Sequence, residues 1–351
     1  MDRRTFISAA VFSSCSVKAA SKNVSDMCDI PCESNGIDFS GVKDSTIALQ
    51  NLLDSSALSA ISVPNGIQKK NINLHGVIRV SSQLVIDASK VNITGPVTII
   101  FSKQGNYKGY GIFLNPQGER NAAYTNCVGS LFDSVNFFSE EKIDLIYASN
   151  SATSDSNPSC LINISQCRFT GFSRVFSNGP GGWGWCWDRC GFDQCEFLLF
   201  ITKQQDTYER FSFSSCTWQN GGIAFYIDNP DGKVYWENGS FDYCEAIAHI
   251  VNGHVSVSGH LEFQGRTIPA VTLLGRGSSF VFNGGSIFIR KNKLKYTIFE
   301  QSFDNQVVLR DVNFVSDGIN LSETVISNRA YLSSGINFGS SGTETILSNE
   351  V

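Results

Sequence analysis

The stretch FSFSSCTW, Phe211 to Trp218, decides how this chain is read. With Phe211 as position zero, apolar or small side chains fall at positions zero, two, five and seven. Alternation of period two belongs to a strand and not to a helix. Between positions two and five the alternation slips by one residue, which marks a bend. The spacing recurs at Ile162, Ile164, Cys167 and Phe169, and at Cys190, Phe192, Cys195 and Phe197. It recurs again at Val234, Trp236, Gly239 and Phe241, at Phe280, Phe282, Gly285 and Ile287, and at Val307, Leu309, Val312 and Phe314. Phe132, Val135 and Phe137 fit without the first position. Val255, Val257 and Leu261 fit once one turn residue is dropped.

Copies begin roughly 21 to 32 residues apart, which is a solenoid period. Two short strands joined by a bend make one coil of a parallel β-helix. A single coil cannot bury its inner face. Stacking coils at about 4.8 Å closes the backbone ladder and forms one long core. Cys167, Cys195 and Cys216 then share one inward position, with Val135 and Gly239 at the same place in flanking copies. A free cysteine packs as a compact hydrophobe, so these three read as a ladder of buried thiols. A disulfide framework is the alternative for a chain with 11 cysteines. Cys28 and Cys32 precede the repeat and form a separate candidate pair. No histidine or carboxylate accompanies the cysteines at zinc-ligand spacing, and neither a metal nor another cofactor is expected.

Charged residues make up 17% of the 351 and hydrophobic residues 42%, with abundant Gly, Ser and Asn. That mix suits short strands and tight turns. A net charge of -5 without a basic tract argues against a nucleic-acid partner. No run approaches the ~18 apolar residues of a membrane span. The N-terminus, MDRRTFISAAVFSSCSVKAAS, resembles a twin-arginine export signal: Arg3 and Arg4 precede Phe6 and Ile7, and Val17-Lys18-Ala19 is a small-residue cleavage site. An ordinary N-terminus is the alternative. Cys15 follows Phe-Ser-Ser, a poor lipidation context.

Ahead of the repeat, Asp44 and Ser45 can cap a helix at 46–54 whose apolar side carries Ile47, Leu49, Leu52 and Leu53. Val63-Pro64-Asn65-Gly66 turns into the strands GVIRVSSQLVI and KVNITG. A helix covering the open end of a β-helix shields core and unpaired strand edges. The motif Gly-x-x-Asp-Ser-Thr-x-Ala-Leu-Gln, the Val-Pro-x-Gly turn and the following coils resemble the pectate-lyase superfamily. Within it, FSFSSCTWQNGGIAFYI, VYWENGSFDY, VSVSGHLEF and FVFNGGSIFI resemble bacteriophage tailspike-type capsule depolymerases. The resemblance covers about residues 36 to 320. It implies an all-β fold, a single-stranded right-handed parallel β-helix (solenoid) with an N-terminal capping helix. Expected boundaries are residues 1–20 for the signal, 21–66 for the segment with the helix, 67–335 for the β-helix and 336–351 for a frayed tail.

The resemblance implies a polysaccharide substrate, which places the search on outward carboxylates. Enzymes that hydrolyse glycosidic bonds use two of them, about 5 Å apart for retention and ~6.5–9.5 Å for inversion. Asp242 and Glu262 follow the last apolar position of adjacent copies, one rung apart. Glu237 and Asp193 share the outward position after the second strand residue, with Ser214 between them. Asp188 with Glu196 is a third arrangement. His260, beside Glu262, could orient or donate a proton. Tyr235 is outward and could stack on a sugar. Trp183, Trp185 and Trp187 alternate and project to one side, as core or as a carbohydrate platform. Trp185 is the platform candidate, and Trp218 and Trp236 belong inside. RKNKLK, with Arg290, Lys291, Lys293 and Lys295, is an exposed turn that could touch an acidic polymer.

The first expectation is hydrolysis of a bacterial capsular or lipopolysaccharide glycan by a carboxylate pair. The second is a non-catalytic glycan-binding or structural β-helix. A polysaccharide lyase is a third; a calcium-dependent pectate lyase acting on plant uronans is disfavoured because no Asp cluster of the calcium-binding kind is present. The tailspike resemblance implies a homotrimer associated with a virion tail; the signal, if used, implies export to the periplasm or beyond.

Overall fold

The computed structural model describes residues 36–63, 66–115, 129–148, 159–203, 210–264, 268–290, 299–302, 305–317, 330–332 and 337–339. The signal-like start, Cys28, Cys32, the lysines of RKNKLK and the tail beyond 339 lie outside the described residues.

Parallel strands wind into a right-handed β-helix around one continuous core that runs from Leu49 to Phe314. Each full coil carries three strands, not the two inferred from the spacing. Trp185–Asp188, Gly191–Asp193 and Phe197–Ile201 stack in register on Ile162–Ser165, Arg168–Thr170 and Arg174–Asn178. They are covered in turn by Phe211–Ser214, Thr217–Gln219 and residues 223–227. The third strand hides from a period-two scan for a physical reason. It buries two consecutive residues, Leu198 and Leu199 here and Ala224 and Phe225 in the next coil, so alternation breaks.

The slip between positions two and five is one residue in the left-handed region. Ser134, Gln166, Arg189, Ser215, Asn238 and Asp311 occupy it with φ of 50° to 58°. Such residues break the strand and swing the chain to the next wall. Val255–Leu261 lacks this residue, and the pairing shifts there as the dropped turn residue requires.

One copy is placed differently from its sequence reading. Trp185 pairs with Phe211, Trp187 with Phe213 and Phe192 with Trp218. That coil therefore begins at Trp185, five residues before Cys190. The inward thiol ladder is Cys167, Cys190 and Cys216, joined rung to rung because Gly191 N donates to Cys167 O and Thr217 N to Cys190 O. Cys195 stacks instead at the second bend, between Phe172 and Gly221, where Glu196 N donates to Phe172 O and Gly222 N to Cys195 O. Every described cysteine is a free thiol.

The N-terminal helix, Thr46–Leu58, buries Thr46, Leu49, Leu52, Leu53 and Ser56, one face at helical spacing. Ile47 lies off that face and is 77% exposed, which corrects its assignment to the apolar side. Asp44 caps the helix: its Oδ1 accepts from Thr46 N and Thr46 Oγ1, whereas Ser45 Oγ accepts from Asp38 N. Gln50 reaches the free edge of the first coil, where its amide donates to Val85 O and accepts from Val85 N. A side-chain amide thus pairs a backbone edge that a preceding strand would otherwise satisfy. Ser40–Asp44 covers a second edge by pairing with Gly76–Ser82.

Candidate functional site

The second strand of each coil presents two outward rows. The first runs Arg168, Gly191, Thr217, Ser240, His260, Ser286. The second runs Thr170, Asp193, Gln219, Asp242, Glu262, Phe288. Both follow from alternation: Cys, Gly or Val faces in, the next residue out, then Phe, Trp, Leu or Ile in, and the next out.

Asp242 and Glu262 are direct neighbours across one rung. His260 stands beside both, its Nε2 3.8 Å from Glu262 Oε2 and 4.0 Å from Asp242 Oδ1. One ligand atom from each of the three lies within 4.8 Å of the other two. Ser240 Oγ donates to Asp242 Oδ2 at 2.8 Å, and His260 Nδ1 lies 2.9 Å from Ser286 Oγ. Glu262 is 7% exposed, whereas Asp242 and His260 open further to solvent. Among the described residues this is the one group whose donors could hold a metal ion. Ligands about 2.0–2.2 Å from an ion sit nearer to one another, so its members would have to close inward by a few tenths of an ångström.

The expected row of Asp193 and Glu237 does not form. Because that coil begins at Trp185, Asp193 falls in the row of Asp242, two coils before it, with Gln219 between. Its carboxylate is held by Asn220 Nδ2 at 3.0 Å and faces Arg168 Nη2 at 3.8 Å. Glu237 stands on the preceding strand segment, in the row Asp188, Ser214, Glu237. Asp188 and Glu196 are separated too. Asp188 pairs with Arg189 Nε at 2.8 Å, and Glu196 accepts from Ser173 Oγ at 2.9 Å beyond the second bend.

Tyr235 is outward and 36% exposed, in the row Cys186, Ser212, Tyr235, Ser256. That row lies on the first strand, so Tyr235 does not join the face of Asp242 and Glu262. It borders a cleft with Lys233, His254, Ser256 and Ser279. Burial and the nearby Lys233 ammonium both push the His254 imidazole below its usual range. Trp185 is completely buried and its Nε1 donates to Ser159 O at 2.8 Å. It is a core residue and not a sugar platform, because it occupies position zero of its coil. Trp187, Trp218 and Trp236 are equally buried, and their Nε1 groups lack a hydrogen-bond partner. Such groups are costly, and stacking such as Trp187 on Phe213 at 4.4 Å helps offset that cost.

Sequence reasoning passed over Ser240, Ser286, Gln219 and Phe288. Phe288 directly follows Glu262 in its row, with its ring 5.4 Å from His260. Each was legible as the outward residue after an assigned inward position.

No family model and no curated protein matches the chain. Among solved structures it is similar to the enzymatically active domain of tailspike protein 4 of Bacteriophage CBA120. The identity is 14%, over 84% of this chain and 43% of that one, with a TM-score of 0.59. The chain thus spans less than half of that domain. It is also similar to the enzymatically active domain of tailspike protein 2 of the same phage, at 14% identity over 83% of this chain and 45% of that one, with a TM-score of 0.41. A mannuronan C-5 epimerase A-module from Azotobacter vinelandii aligns at 12% identity over 87% of this chain and 98% of that one, with a TM-score of 0.39. At these identities the likeness is one of fold, and it rests on the first comparison.

Proposed function

We propose that this protein binds a bacterial surface polysaccharide and hydrolyses it, with Asp242 and Glu262 as the carboxyl pair. The observation that carries this reading is their one-rung pairing, with oxygens within 4.8 Å, on an outward face that also holds His260 and Phe288. That separation belongs with the shorter, retaining arrangement of about 5–5.5 Å. Glu262, the more buried of the two, is assigned as the acid. It protonates the glycosidic oxygen as the carbon–oxygen bond breaks. Asp242, steadied by Ser240, attacks the anomeric carbon to give a glycosyl ester. Water then attacks that carbon, Glu262 takes the water's proton, and the ester opens. The CBA120 domain that shares the fold is described as enzymatically active, which supports an enzymatic reading. The same likeness supports a virion-tail location, with export as the alternative. The described residues contain no helix long and apolar enough to cross a membrane.

The test is release of reducing ends from a panel of capsular polysaccharides and lipopolysaccharides. Asp242→Asn and Glu262→Gln should each lower the rate by about 10²–10⁴-fold with folding and glycan affinity retained. Wild-type rates from both variants overturn the assignment. A second reading, a glycan-binding β-helix without catalysis, is favoured by the near-complete burial of Glu262. It prevails if the wild-type chain retains affinity and cleaves nothing.

A further inference from the structure

Beyond the row of Asp242 the chain turns a second corner through Gln194, Asn220 and Tyr243, which have φ of 54°, 52° and 55°. The outward row past that corner reads Glu196, Gly222, Glu245, since Ile223 N donates to Glu196 O and Ala246 N to Gly222 O. Two carboxylates, two rungs or roughly 9.6 Å apart, therefore flank a coil that has no side chain. The gap is a cleft of about 390 Å³, floored by Gly221 and Gly222 and walled by Lys142, Gln194, Glu196, Asn220 and Glu245.

The gap is fixed by how the coils stack. A Cβ on Gly222 would lie 2.6 Å from Glu196 O, and one on Gly221 2.4 Å from the Trp218 ring. No side chain of this coil can fill it. The walls are tied down in advance: Lys142 Nζ donates to Gln194 O at 2.5 Å, Ser173 Oγ to Glu196 Oε2 at 2.9 Å and Asn220 Nδ2 to Asp193 Oδ1 at 3.0 Å. Groups already held in place lose less freedom when a ligand arrives. The cleft adjoins the carboxyl pair, because Asn220 N donates to Asp242 O at 3.0 Å. Tyr243, which follows Asp242 directly, is 48% exposed and offers a ring at the boundary.

The lining is rich in acceptors. One ammonium, Lys142, stands against two carboxylates, Glu196 and Glu245, for a formal charge of -1 (+1 - 2). Hydroxyl donors of a sugar ring suit such a surface, whereas a uronate, sialate or phosphate would bring like charges together. We infer that this cleft is a subsite for an uncharged sugar residue, the one adjoining the bond held at Asp242 and Glu262. The subsite's place along the polymer rests on the hydrolytic reading; its preference for an uncharged sugar does not.

The experiment uses the Asp242→Asn/Glu262→Gln double variant, so that polymer stays uncut. Its affinity is measured by biolayer interferometry against uncharged O-antigen polysaccharides and uronate-bearing capsular polysaccharides. The tightest ligand should be uncharged. Adding Glu196→Ala and Glu245→Ala should weaken it by about tenfold or more, with an unchanged circular dichroism spectrum. Glu196→Lys with Glu245→Lys should instead raise affinity for uronate-bearing polymers. The subsite is overturned if the tightest ligand is uronate-bearing, if no polysaccharide binds, or if the alanine variants stay within about twofold of their parent. Failure of the wild-type chain to cleave, with these affinity shifts intact, removes the hydrolytic reading and leaves the subsite.

Discussion

Cys190 and Cys195 stand five residues apart at two different bends of one coil, and both were legible as inward thiols. Their order along the repeat was not, because CGFDQCEF reproduces by chance the spacing that WCWDRCGF carries in fact. A frame that starts at Cys190 leaves Trp185 and Trp187 outside the repeat, which makes Trp185 a platform candidate. Burial pushes the Cys195 thiol up to about 11 and raises Cys167 further. Cys216 is raised first by its contact with the Cys190 thiol and then by burial. Only the thiolate reacts readily. At pH 8 a thiol reagent should leave Cys167, Cys190, Cys195 and Cys216 untouched in the native protein and modify all four after denaturation. Rapid native labelling overturns the ladder. The same shifts set a pH dependence. Below about pH 8.5 Cys167, Cys195 and Cys216 are protonated in both states and stability is unaffected. Above it the unfolded chain releases protons that the native state keeps, so stability falls, by up to ~1.4 kcal/mol per pH unit per thiol. Urea midpoints of Cys195→Ala should fall less steeply than wild type up to the native value of about 11.

At the scale of elements, the helix was readable from its leucines and acidic cap, while the task of Gln50 was not. Its partner, Val85, is 35 residues away and becomes a neighbour only when the first coil closes. Asp44 links helix and coil, since Ser81 Oγ also donates to it at 2.8 Å. Burial alone would raise its pKa, but hydrogen bonds from Thr46 and Ser81 outweigh this and hold it below 3.8. Its contribution is therefore present above that value and is lost as the pH falls through the native pKa. Asp44→Ala should cost about 1 kcal/mol at neutral pH, and the difference from wild type should shrink in acid. The first bend sets a harsher limit. The thiol ladder continues as Gly239, Gly259 and Gly285, and a Cβ on Gly259 would lie 2.2 Å from Gly239 O. Gly259 also has φ of 123°. Gly259→Ala should destabilise by about 2–5 kcal/mol, measured by urea unfolding. A cost near zero contradicts this register.

At the scale of the molecule, a solenoid makes function a matter of rows. A residue's neighbours are fixed by its place in the repeat, so one slip of frame reassigns a whole row. The pairing of Asp242 with Glu262 was legible because VYWENGSFD and VSVSGHLE differ by one dropped turn residue, and both frames were right. A frame that starts at Cys190 puts Asp193 in the wrong row, because its coil begins at Trp185. The glycine-floored cleft was not legible, since it depends on which residues flank Gly222 above and below. In the proposed reaction a carboxyl pair one rung apart hydrolyses the polymer with retention. The most direct measurement is proton NMR of the first product released from a capsular or lipopolysaccharide glycan that gains reducing ends with the wild-type chain. Wild type should release the retained anomer, which then mutarotates, and Asp242→Asn should release none. A first product of inverted configuration, or cleavage by Asp242→Asn at the wild-type rate, contradicts the account.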